Sequence, residues 1–240
     1  MGVITFNGVP SDVLGIKVWT FPNYETPEKE IQMIHVPGRS GDIAIDLDSY
    51  KNVERSYQVS LYDKYKSFAD LSAVLSNWLH SANGYAPLYD SYEPYYYRMA
   101  IYSEGISYTN VLDQAVTATI VFNCKPQRYA FIGDEPKTIT TSTILENPFS
   151  TIARPEIRVV GDGSFTINGV TTYVSGNSGT VLFIDSELQD IYYYSNGNMR
   201  NGNGRVVFSN GKFPTLNPGN NTISKASFSS MEVKPRWWTI

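Results

Sequence analysis

Few side chains in this 240-residue chain could do acid–base, nucleophilic or metal chemistry. There are two histidines, His35 and His80, and one cysteine, Cys124. Two histidines without a cysteine cluster do not make a histidine-rich zinc centre, and no His-Glu-x-x-His occurs. His35 falls in an alternating stretch. His80 falls in the last turn of a helical stretch, where the macrodipole favours a cation. Gly38-Arg39-Ser40-Gly41 lacks the spacing of a nucleophile elbow. Gly161-Asp162-Gly163 and Gly202-Asn203-Gly204 lack the further glycine and the strand-to-helix setting of a phosphate cradle, so they read as turns. Two carboxylate pairs remain, Asp46 with Asp48 and Asp185 with Glu187. Glycoside hydrolysis needs two carboxylates flanking the scissile bond. Neither pair comes with a recognisable lining, and both read as solvated acids at strand ends. Asp46 and Asp48 also lack the later ligands of a calcium loop. Asn220-Asn221-Thr222 has the form of a glycosylation sequon and reads as a turn. Cys124 reads as a buried, inert thiol, and a single cysteine excludes an internal disulfide. The sequence therefore assigns no catalytic, cofactor-binding or metal-ligating residue, and implies a protein that is not an enzyme.

The elements that must position these residues are mostly strands. Val116, Ala118, Ile120 and Phe122 alternate with Thr117, Thr119 and Val121, the signature of a half-buried strand. Pro126 ends that pattern because it cannot donate to a ladder. Tyr57, Val59 and Leu61 alternate with Gln58, Ser60 and Tyr62 in the same way. Asn7-Gly8 predicts a type I′ hairpin after Ile4-Thr5-Phe6. Further strands are expected at Gly15–Trp19 and Ile31–Val36, with a turn at Pro37–Asp42. Phe21–Glu30, polar and carrying Pro22 and Pro27, reads as a surface loop or an extended arm. From Phe68 to Leu79, apolar residues recur every three or four positions, which predicts one helix. Ser67 and Asp70 supply a variant of the capping box. Tyr85–Tyr102 is strand-like and broken by Pro87 and Pro94, with Tyr95, Tyr96 and Tyr97 distributed over both faces.

Asn-Gly occurs seven times, five of them after residue 135, so the second half turns more often than the first. Short strands are expected there at Ile157–Val160, Phe165–Ile167, Thr171–Val174, Val181–Ile184, Ile191–Tyr194, Arg205–Phe208 and Ala226–Val233. That spacing argues a β-sandwich of about a hundred residues. No self-similar period relates the halves.

Apolar residues make up 42% of the chain, enough for a real core, and the net charge of -4 comes without any Lys/Arg run. A duplex-binding stripe is therefore missing, and nucleic acid is not an expected partner. No apolar run is long enough to cross a bilayer. The first residues lack the charged and apolar regions of a signal peptide, and Phe6 stands where myristoylation needs a serine or threonine. Eighteen tyrosines with few long charged side chains suit half-buried strands or wet interfaces.

Several motifs occur in a specific order. A short hairpin is followed by the Pro37-Gly38-Arg39-Ser40-Gly41-Asp42 turn, a strand opening at Tyr50-Lys51-Asn52-Val53-Glu54, one helix, and a closure at Phe122–Tyr129. Asn147-Pro148, Pro155-Glu156-Ile157, the run Phe213–Ile223 and Lys234-Pro235-Arg236-Trp237-Trp238 come later. In this order the chain resembles the siphophage distal tail proteins (Dit) over nearly its whole length. The resemblance implies a mainly β fold. Residues 1–135 would form a β-sandwich-like, ring-forming tail domain with a helix at 68–80. Residues 136–240 would form a galectin-like β-sandwich pointing outward. It further implies a homo-hexameric ring at the end of the tail tube, in the virion's tail tip or baseplate, made in the bacterial host cytoplasm. Its partners would be the tail-tube protein, the tail-associated (tail-tip) protein, and receptor-binding proteins or side fibres. No cofactor, nucleic acid or membrane insertion is implied. Members of the family grip a neighbour with an extended arm, for which Phe21–Glu30 is the candidate. Two other readings stand beside the structural one. In the first, the C-terminal sandwich binds host saccharide through Tyr192, Tyr193, Tyr194 and Trp237. In the second, the chain is a cell-wall hydrolase, a reading weakened by the missing acid–base constellation.

Overall fold

In the computed structural model, which describes residues 2–19, 21, 25–111, 114–177 and 179–240, the chain is mainly β with one α-helix among the described residues. It divides into two units, Met1–Arg128 with Ile240 and Tyr129–Thr239. Among the described residues, no helix is long and apolar enough to cross a membrane.

The first unit carries β1 (Ile4–Phe6), β2 (Val9–Pro10), β3 (Ile16–Val18), β4 (Lys29–Ile34), β5 (Ile43–Tyr50), β6 (Val53–Tyr62), α1 (Phe68–Leu79), β7 (Ala86–Asp90), β8 (Tyr96–Ile101), β9 (Thr109–Val111) and β10 (Ala115–Cys124). Asn7 and Gly8 take φ of 49° and 78°, the pair of positive angles that a type I′ turn demands, and β1 folds back with Phe6 opposite Val9. β10 runs antiparallel to β6 along its full length, from Ala115 opposite Tyr62 to Cys124 opposite Val53. The strands follow the order β2-β1-β7-β8-β10-β6-β3, with β9 also on β10. Side-chain alternation sorts the two long strands. Val116, Ile120, Phe122, Tyr57, Val59 and Leu61 are buried, whereas Thr119 and Gln58 face solvent.

Helix α1 seals the buried face. Ser67 Oγ accepts from the Asp70 N–H, and the Asp70 carboxylate accepts from the Ser67 N–H, both at 3.2 Å. Leu71, Leu75, Trp78 and Leu79 are buried in one cluster with β1, β6 and β10. Trp78 meets Phe6 edge-on at 6.4 Å, and its indole N–H donates to the Val9 carbonyl. A twelve-residue helix is marginal alone, and burying each of these large side chains contributes about 1.5–3 kcal/mol. β4 and β5 stand apart as their own two-stranded sheet.

The second unit uses β11 (Arg128–Ala130), whose first residue is the last of the first unit, β12 (Lys137–Thr138), β13 (Ser142–Asn147), β14 (Glu156–Val160), β15 (Gly163–Ile167), β16 (Val170–Val174), β17 (Val181–Asp185), β18 (Asp190–Ser195), β19 (Asn198–Asn201), β20 (Val206–Phe208), β21 (Gly219–Ala226), β22 (Ser230–Lys234) and β23 (Trp238–Thr239). One sheet is ordered β12-β22-β14-β17-β18-β19 and the other β13-β21-β15-β16-β20. Ile157, Val159, Leu182, Ile184, Met231 and Val233 of the first, with Phe165, Ile167 and Ile223 of the second, are buried. Each sheet thus turns one apolar face inward, which is sandwich construction. A single strand at Ala226–Val233 is not what forms. Ser227 takes φ of 69°, which breaks the ladder and separates β21 from β22. Gly133 marks a close approach, since a Cβ there would lie 2.2 Å from the Trp237 nitrogen.

Candidate assembly surface

The chemistry-bearing residues are spoken for by structure. Cys124 is fully buried, and burial pushes its thiol up to about 12, far from a reactive thiolate. His80 caps α1, with Nδ1 2.9 Å from the Ser76 carbonyl. His35 lies 3.1 Å from Asp42 near the tip of the β4–β5 hairpin. Asp46 and Asp48 lie at the irregular end of β5. Asp48 adopts φ of 54°, and its N–H donates to Asp46 Oδ1 at 3.0 Å. Asp46 pairs with Lys29, and that hydrogen-bonded ammonium holds its carboxyl below the usual range.

Asp185, at 1% exposed, receives both terminal nitrogens of Arg236 at 2.7 Å. Arg236 Nη2 also donates to Glu156 at 2.9 Å. Burial alone would raise the Asp185 carboxyl, but the Arg236 hydrogen bonds and the Leu188 and Glu187 N–H groups overbalance it and lower it. Glu187 accepts from the Tyr129 hydroxyl at 2.7 Å. The pair is a structural clamp for the chain around Arg236. Among the described residues, no group of three His, Cys, Asp or Glu side chains gathers to hold a metal.

The aromatic faces proposed for saccharide stacking are also occupied. Trp237 is buried. Tyr192 stacks on Phe183 at 5.0 Å, and Arg158 lies over the Phe183 ring at 5.4 Å. Arg205 lies 3.8 Å from the Tyr193 ring centre. Tyr194 meets Phe183 and Tyr192 edge-on and is the exposed member of the group. This is a cross-strand ladder in which rings serve one another.

What stands open is the β4–β5 hairpin. Ile31 pairs with Asp46 and Met33 with Ala44. Gln32 pairs with Ile45 and Ile34 with Ile43. Directly paired residues share a face and successive ones alternate. One face therefore presents Ile31 and Met33, and the other Ile34, Ile43, Ile45 and Leu47. All six are exposed, Met33 at 60% and Leu47 at 51%. Polar contacts hold the hairpin's base. Lys29 pairs with Asp46 and Lys51 with Glu28, and the Ser49 hydroxyl donates to Glu30 at 2.6 Å. A two-stranded hairpin with apolar residues on both faces is marginal in water and calls for a partner. Sequence reasoning saw β4 but missed β5 and placed the arm at Phe21–Glu30. Of that stretch, Lys29 and Glu30 belong to β4, and Pro22, Asn23 and Tyr24 lie outside the described residues. A second open surface lies on β6 and β10, where Trp19, Gln58, Thr117, Thr119 and Val121 line a hollow of about 500 Å³.

No protein-family model matches the chain, and no curated protein matches it in sequence. Its fold is similar to solved structures. One is the crystal structure of the Dit protein of phage SPP1, described as a paradigm of the hub adsorption apparatus in phages infecting Gram-positive bacteria. The TM-score is 0.68 at 15% identity, over 97% of both chains. Another is the phage p2 baseplate in its activated conformation with strontium, with a TM-score of 0.60 at 9% identity, over 97% of this chain and 96% of that one. The p2 baseplate with calcium gives 0.57 at 9% identity, over 91% and 90%. At such identities the likeness is one of fold, and it extends over both units.

Proposed function

We propose that this chain is a distal tail protein, a structural subunit of a phage tail hub with no catalytic role. The observation that carries the reading is the fold shared with SPP1 Dit over 97% of both chains. The geometry supports it independently. A closed ring needs two different, complementary patches on each subunit. The two-faced apolar hairpin supplies one, and the open β6–β10 surface around Trp19 supplies the other. In this reading the first unit closes a hexameric ring below the tail tube, and the second is a galectin-like sandwich facing outward. The tail-tube protein lies above, the tail-tip protein below, and receptor-binding proteins or side fibres attach at the periphery. Ring closure also covers exposed strand edges that would otherwise be aggregation sites.

Native mass spectrometry and negative-stain imaging of the full chain test this. The expected species is a ring of about 160 kDa, six copies of the 26.9 kDa chain. Monomer at every concentration, alone and with tail-tube protein added, would overturn the hexamer.

A further inference from the structure

Three arginines far apart in sequence converge in the first unit. Arg55 of β6 and Arg98 of β8 are 3% and 4% exposed, and Arg128 stands at the end of the unit. They line a cavity of about 200 Å³ with Glu93, Glu25, Pro27 and Ile240. Glu93 divides its two oxygens between them. Oε1 meets Arg128 Nη2 at 2.7 Å, and Oε2 meets Arg55 Nη2 at 3.3 Å. Arg98 has no such relief. Its Nη1 donates to the carbonyls of Pro126 at 2.8 Å and Lys125 at 3.3 Å, and among the described residues no carboxylate lies within 4.0 Å of it. The Nε atoms of Arg98 and Arg128 are buried without a hydrogen-bond partner.

A buried guanidinium without a counter-charge is costly, and the cost falls when an oxyanion joins it. Burial, and next the neighbouring Arg55 charge, lower the Arg98 guanidinium to about 10, chiefly because the charged form is taken out of water. A second cavity, of about 340 Å³, shares Glu93 and Arg128 and is walled by Tyr92, Pro94, Tyr95 and Tyr96. It gives room for the body of a larger ligand.

We propose that Arg55, Arg98 and Arg128 form an oxyanion-binding site, taking either a carboxylate presented by a partner chain or a free phosphate. The ligand's oxygens take up the unpartnered Nε–H groups of Arg98 and Arg128, and Tyr95 and Tyr96 flank the group that carries them.

The test titrates the full chain by calorimetry and thermal shift at fixed ionic strength, in two arms. One uses inorganic phosphate, and the other a capped glutamate-rich peptide. Saturable binding and a raised Tm are expected in at least one arm, weakened at least tenfold in Arg128→Gln and in Arg98→Gln. Tighter binding of the peptide assigns the oxyanion to a partner, and tighter binding of phosphate assigns it to a free anion. If Arg98→Gln loses its near-ultraviolet circular dichroism, Arg128→Gln decides alone. No saturable binding in either arm, or binding unchanged in Arg128→Gln, overturns the site.

Discussion

Replacing Ile45 and Leu47 together by serine separates assembly from folding. Both lie on one face of the β4–β5 hairpin, 41% and 51% exposed in the single chain. Full burial of such a side chain contributes about 1.5–3 kcal/mol. The part still exposed, roughly two-fifths to one-half, leaves about 0.6–1.5 kcal/mol per residue to be gained on docking. The pair is therefore worth about 1–3 kcal/mol per interface, or roughly 5- to 150-fold in subunit affinity. The monomer should scarcely notice, since exposed substitutions usually change stability by less than about 0.5 kcal/mol. Sedimentation velocity across a concentration series measures the first quantity, and urea unfolding at dilution the second. An unchanged association constant would refute the hairpin's role. A matched loss of monomer stability would show instead that these side chains are packed within the chain.

Other expectations follow from the same contacts. Arg236→Met strands the buried Asp185 carboxylate and should cost about 3–5 kcal/mol, read by urea unfolding through Trp237 and Trp238; a loss below about 1 kcal/mol would contradict the clamp. Because the Asp185 carboxyl is held below its usual value of 3.8, its stabilisation is fully present above the unfolded pKa and lost as pH falls through the folded one. The gap between wild type and Arg236→Met should therefore shrink below about pH 4, and a gap independent of pH would be inconsistent with the lowered carboxyl. Asn221, fully buried, donates to the carbonyls of Asn217 and Gly219 and accepts from the Asn217 N–H and Asn168 Nδ2. Asn221→Ala should lower stability by about 3 kcal/mol or more in thermal unfolding, and a neutral result would mean that water replaces the side chain. Cys124 should stay unlabelled by a thiol reagent in the native chain and react once urea unfolds it; native labelling within seconds would contradict its burial.

The sequence alone determined what depends on local chemistry. Alternation in Val116–Phe122 and Tyr57–Leu61 specified the two central strands, because period-two burial forces that pattern. The three- and four-residue spacing from Phe68 to Leu79, opened by Ser67 and Asp70, specified the helix and its cap. Asn7-Gly8 specified the first hairpin through its two positive φ angles. Tertiary structure decided the rest. The β5 strand eluded pattern reading because its side chains are exposed on both faces, so no core imposed an alternation. The break at Ser227 is a φ choice that the ladder on either side makes, not the residue type. The carboxylate pair at Asp185 and Glu187 looked solvated until Arg236 arrived from fifty residues away. Arg55, Arg98 and Arg128 each read as an ordinary charged residue in its own segment. Only the folded chain brings two of these guanidinium groups onto one glutamate with the third close by, because electrostatics depends on distance in space and not on distance along the chain.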